Sequence, residues 1–157
     1  MKKTIFQIIF LIIYGALLVF FMYECFQDST KAGKQAGIVA NIIANTIEFF
    51  TKKKVTVDDH FLLLVSKIVG HYGYFVILGL ISIIYHLSLD GFNKIMRIII
   101  HFVIGISFAF ATEFVAEAIT AGRNASIVDV GIDTLGFITL SLPICIVYLI
   151  KRRRQKI

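Results

Sequence analysis

Five ionisable side chains in the pattern Glu113-x3-Glu117-x5-Arg123-x5-Asp129-x3-Asp133 lie where two strongly apolar segments adjoin. A charge near the middle of a membrane-spanning helix costs roughly 2.5 to 3.5 kcal/mol on insertion scales, so acids and an arginine at helix ends turn toward one another or toward a water-filled cavity. The spacing therefore predicts a polar site. Acids four residues apart share a helix face, which suits general acid–base chemistry or a hard cation.

The elements that must position these groups follow from composition. The chain is 58% hydrophobic and 17% charged, with a mean hydropathy of +0.86, far outside the range of an ordinary soluble domain. Crossing a bilayer core of about 30 Å takes about 20 apolar residues. Four stretches approach that length, at about 5–23, 62–87, 95–116 and 130–150. The expected fold is an all-α integral membrane four-helix bundle, one domain over residues 1–157.

Basic residues set the expected orientation. Lys2 and Lys3 precede the first span, Lys94 and Arg97 open the third, and Lys151, Arg152, Arg153, Arg154 and Lys156 follow the fourth, with Asp90 the only acid nearby. The loop from Glu24 to His60 balances its lysines with acids. The positive-inside rule then places both termini in the cytoplasm and the polar loops outside. The net charge of +6 reports this topology, not nucleic-acid binding, and the terminal basic tract suits anionic lipid headgroups. The first apolar run is too long for a secretion signal and lacks a small-x-small cleavage site, so it reads as an anchor. Cys25 falls at the outer end of the first span and Cys145 toward the inner end of the fourth, too far apart to bridge, and no disulfide, zinc or redox motif is implied.

Between the first two spans, Gly37 to Phe50 repeats Ile38, Ile42 and Val39, Ile43, Ile47 at helical intervals, with Asn41, Asn45 and Glu48 between them. This predicts an amphipathic interfacial helix, either a lid over the outer site or a packing element between spans. On the second span Lys67, His71, Phe75, Gly79, Ser82 and His86 form one polar or small-residue stripe; on the third, His101, Gly105, Ala109, Glu113 and Glu117 do the same. Small residues permit close approach and polar ones favour a bundle interior, so the two faces should pack together. His71, Glu113, Glu117, Arg123, Asp129 and Asp133 should then meet at the outer boundary, with Lys67 and Ser126 beside them. His101 is expected as a polar packing residue of the inner half and His86 as an interfacial cap.

Thr112 to Gly136, reading TEFVAEAITAGRNASIVDVGIDTLG, resembles the C-terminal signature of the VanZ-like family: an acidic helix end, Gly-Arg, a serine, then D-x3-D-x2-G. Ser66 to Leu80, SKIVGHYGYFVILGL, resembles its basic-x3-His segment. The match covers the second through fourth spans and marks Lys67, His71, Glu113, Gly122, Arg123, Ser126, Asp129, Asp133 and Gly136. The chain departs from the family's pattern at Glu117, where a glutamine is common, at Ala121, where a proline is, and around Tyr74 and Phe75. The resemblance implies a protein of the bacterial cytoplasmic membrane that works on the cell envelope. The family takes its name from an accessory factor in resistance to glycopeptide antibiotics such as teicoplanin.

Simpler roles stand beside these. Arg123 would neutralise Glu113 or Asp129, Asp129 would cap the fourth helix, and Asp133 would pair with His71. Glu113, Glu117, Asp129, Asp133 and His71 would also suit a divalent cation, while no other cofactor is expected. Three functions remain open. The outer cluster binds or modifies a membrane lipid or lipid-linked cell-wall precursor, with Arg123 and Lys67 on its phosphate. Alternatively the chain is an intramembrane hydrolase or transferase with His71 or Glu113 as general base, or a small ion-coupled carrier.

Overall fold

In an apolar medium a backbone must satisfy its own N–H and C=O groups, which helices do within a single segment. A computed structural model describes residues 2–89 and 93–154, side chains of Lys2, Glu117 and Arg153 excepted, and shows helices with no strand among them. Asp90 and Lys156, both used in the expected topology, lie outside the described residues. The helices are α1 (Lys2–Cys25), α2 (Ser29–Thr51), α3 (Asp59–Val65), α4 (Tyr74–Ser88), α5 (Lys94–Ala111) and α6 (Ile127–Arg154). Two π-helical segments interrupt them, π1 (Ser66–Gly73) between α3 and α4 and π2 (Thr112–Glu117) after α5.

Four helical stretches are long and apolar enough to cross a membrane: Lys3–Cys25, Asp59–Ser88, Lys94–Ala116 and Ile127–Arg152. Each of the four expected spans is present, and most extend past their apolar runs because caps, not hydropathy, end helices. Asp58 accepts the Phe61 N–H at the start of α3, and Asn93 accepts the Ile95 N–H at the start of α5. The same physics moves the start of α2. Asp28 caps it through the Lys31 N–H, so the helix begins at Ser29 and not at Gly37. Its buried face is Ala40 and Ala44, while Ile38, Ile42, Phe49 and Phe50 are exposed.

The connections run up and down. Gln7 donates to the Ser88 carbonyl at 2.7 Å and the Tyr74 hydroxyl donates to the Leu17 carbonyl, which sets α1 antiparallel to α4, while Thr120 donates to the Cys25 carbonyl at 3.1 Å and joins the ends of the first and third spans. Lys94 and Arg154 mark one end of the bundle, the basic end. Cys25, Ser66 and Ile127 mark the other, the cap end.

Glycine lets α6 enter between its neighbours. A Cβ on Gly79 would stand 2.2 Å from the Phe137 carbonyl oxygen, one on Gly105 2.2 Å from the Phe137 ring, and one on Gly136 2.5 Å from the Tyr72 carbonyl oxygen. The two small-residue faces meet each other as expected, Ser82 Oγ lying 2.9 Å from His101 Nδ1, and they also admit α6, with Phe137 held between Gly79 and Gly105. Pro143 sits inside α6, which runs on through it, and its neighbour Ser141 bonds to the Phe137 carbonyl.

Beneath the cap end lies an aromatic layer. Phe21 stacks on Tyr74 with centroids 4.1 Å apart and meets Phe75 edge-on at 5.2 Å. The Tyr74 hydroxyl donates to the Leu17 carbonyl, so its polar tip is satisfied while its ring stays in the core.

Candidate functional site

The π segments carry the site. Lys67 and His71 stand on π1 and Glu113 on π2, while Asp129 and Asp133 stand on the first turns of α6. A π turn bonds residue i to i+5 and widens the helix locally, a feature concentrated at functional sites. An apolar pattern read at 3.6 residues per turn does not reveal it. The only sequence signal is negative: Gly70 and Gly73 fall inside π1, where glycine weakens ordinary α-helix.

Lys67 Nζ is 2.5 Å from Asp129 Oδ1. His71 Nδ1 is 3.1 Å from Asp133 Oδ1 and 3.6 Å from Glu113 Oε1. Glu113 and Asp133 are buried, at 1% and 0% exposure. The expected pairing of His71 with Asp133 is present. Two other expectations are corrected. Asp129 takes Lys67, not Arg123, as its ion-pair partner, because π1 and the first turn of α6 lie side by side. Asp129 also does not cap α6: the helix begins earlier, at Ile127, and Ser126 Oγ accepts the Asp129 N–H at 3.2 Å.

Glu113 has a role that sequence reading missed. Its Oε2 accepts the Ser126 N–H at 3.1 Å, tying π2 to the start of α6. A carboxylate at a helix N-terminus is favoured by the free N–H groups and the helix dipole, but a pair 13 positions apart has no helical signature. The side chain of Glu117, the other acid expected here, lies outside the described residues.

Arg123 shares with His71 a cavity of about 360 Å³ whose remaining walls include Phe20, Phe21, Val39, Val65 and Val69. Glu24 and Gln35 also border it. Gly122 sets the approach of Arg123 with a φ of +76°, and a Cβ there would stand 2.4 Å from Ser29 Oγ. Only glycine takes that backbone without strain.

In chemical terms the cluster offers one histidine, three carboxylates and one lysine in contact. Donor atoms of His71, Glu113 and Asp129 lie within 4.8 Å of one another, a spacing that one hard cation would span. Further toward the basic end, His101 is buried and stacks on Phe137 at 4.6 Å. His86, expected as an interfacial cap, is buried instead, with Nδ1 2.9 Å from the Ser82 carbonyl oxygen. The turn formed by α4 carries it inside the bundle, since Ser82 and His86 share one face.

These features define an all-helical protein with four helices able to cross a membrane and a buried acid–histidine cluster at one end. No protein-family model, curated protein or solved structure matches the chain.

Proposed function

We propose that the chain is a multi-pass protein of the bacterial cytoplasmic membrane, both termini inside, that binds a lipid-linked envelope component at the outer face. The reading rests on one observation above all, the cavity of about 360 Å³ whose mostly apolar lining also includes His71, Arg123, Glu24 and Gln35. An amphiphile needs that arrangement: hydrocarbon against Phe20, Val39 and Val69, and an anionic head against a guanidinium able to bind it in bidentate fashion.

The orientation comes from the lysines and arginines around both termini. In this orientation α2 lies on the outer leaflet as an interfacial helix, its exposed Ile38, Ile42, Phe49 and Phe50 in the headgroup layer. The VanZ-like resemblance supplies the biological context, in which holding or altering such a component contributes to resistance against lipoglycopeptides.

The test is a susceptibility assay in a sensitive bacterial host expressing the wild type, Arg123→Ala or Arg123→Lys, with membrane levels measured alongside. Protection is expected from the wild type, is lost in Arg123→Ala and is partial in Arg123→Lys. Equal protection by Arg123→Ala at equal membrane level would sink the reading.

A second reading draws on the close approach of His71, Glu113 and Asp129. There the chain is a hydrolase or transferase on a phosphorylated or acylated lipid, with a divalent cation or Arg123 countering the negative charge that develops. Purified protein incubated with envelope lipids should then convert one of them, and a chelator should stop it. Lipids unchanged under both conditions leave binding as the function.

A further inference from the structure

A buried charge without a partner stands near the opposite end of the bundle. Arg97, in the first turn of α5, is 2% exposed, and its Nε, Nη1 and Nη2 have no hydrogen-bond partner among the described residues. His101, one turn along the same helix, is fully buried, with no partner for its Nε2 among the described residues, and the buried Tyr14 hydroxyl of α1 faces Ser82. These groups belong together. The His86 and His101 rings are 5.7 Å apart, Tyr14 meets His86 edge-on at 6.3 Å, and Arg97 stands one turn before His101 on α5. Ser82 completes the set with a 2.9 Å bond to His101 Nδ1.

Buried polar groups in folded proteins are nearly always hydrogen-bonded, and an isolated buried cation is among the costliest exceptions. Here three guanidinium nitrogens and one imidazole nitrogen lack partners among the described residues. No acid is available to it from the described residues, because Asp90 is the only acid between Asp59 and Glu113 and lies outside them. The neighbouring Lys94 donates to the Leu87 and Leu89 carbonyls. Donors of this kind suit a planar or tetrahedral oxyanion. A guanidinium fork binds one in bidentate fashion, while a phenol and a neutral imidazole can add single hydrogen bonds.

We infer that Arg97, His101 and Tyr14 form a second binding site, at the basic end, for a phosphate-type oxyanion. The group is supplied either by a lipid headgroup of that leaflet or by free phosphate in solution. The site is separate from the cavity at Arg123: Phe75 and Phe137, both fully buried, lie along α4 and α6 between His71 and His101.

The test uses the full chain in nanodiscs. Discs of phosphatidylcholine alone are dialysed against radiolabelled inorganic phosphate; discs of phosphatidylcholine with phosphatidylglycerol are read by native mass spectrometry for retained lipid. Wild-type protein should retain phosphate in the first case or phosphatidylglycerol in the second, and which of the two it retains identifies the source. Arg97→Gln should weaken retention at least about tenfold, the loss of one charge-assisted hydrogen bond, and Val103→Ala, on the exposed side of the same helix, should leave it unchanged. Should Arg97→Gln fail to insert, Arg97→Lys keeps the charge without the fork and should still weaken retention. The inference is overturned if the wild type retains neither probe, if Arg97→Lys and Arg97→Gln bind as the wild type does, or if Asp90→Asn gains binding that the wild type lacks. The last result would make the Asp90 carboxylate the partner of Arg97.

Discussion

His71 on π1 and Asp133 on α6 approach to 3.1 Å although 62 positions separate them in sequence, and the carboxylate is fully buried. Around this contact the other acids take distinct partners: Asp129 holds Lys67, and Glu113 holds the start of α6 through Ser126. The pairing joins the second and fourth spans at one end of the bundle, and Glu113, 3.6 Å from His71, brings in the third.

Breaking that contact should be costly. Removing one member of a buried, hydrogen-bonded pair costs roughly 3–5 kcal/mol, because the remaining group stays buried and unpaired. Asp133→Ala and His71→Ala should each lower the unfolding midpoint in detergent, and the double variant should lose less than the sum of the two. Strict additivity in that cycle would mean the two side chains do not interact energetically.

The two glycine contacts on Phe137 should respond differently to a second mutation. Gly105→Ala meets the Phe137 ring, whereas Gly79→Ala meets its backbone carbonyl. Each should destabilise by about 1–3 kcal/mol through overpacking. Shortening the ring with Phe137→Leu should recover much of the loss in Gly105→Ala and none in Gly79→Ala, measured by thermal unfolding of the purified variants.

Lys67 competes with any cation for Asp129, since it pairs with that carboxylate at 2.5 Å. If the second functional reading holds, Lys67→Met should tighten Mn²⁺ binding, followed by electron paramagnetic resonance titration, and Glu113→Gln should weaken it. Failure of the wild type and Lys67→Met alike to bind Mn²⁺ would remove the cation from that reading.

Gly122→Ala should impair the Arg123 side of the site without touching the arginine. A left-handed backbone costs an alanine roughly 1–2 kcal/mol, and the new Cβ also meets Ser29. Adding Ser29→Gly relieves only the contact. Protection in the susceptibility assay should therefore fall in Gly122→Ala and recover incompletely in the double variant, whereas full recovery would assign the whole effect to the clash.

Much of this architecture is legible in the linear chain. Four long apolar runs are four helices because each must satisfy its own backbone, and a stripe such as His101, Gly105, Ala109 identifies an inward face by spacing alone. The convergence of His71 with Asp133 follows from the same periodicity once the spans alternate in direction. Tertiary structure decided the remainder. It gave Asp129 to Lys67, set Glu113 against the start of α6, turned two small-residue faces onto Phe137, and buried Arg97 and His86 where the sequence suggests helix ends. A helical pattern reports only which side of a helix a residue occupies. Which neighbour meets it there depends on axial height, on the π turns that shift the register and on how closely glycine lets a third helix enter, and these are properties of the packed bundle.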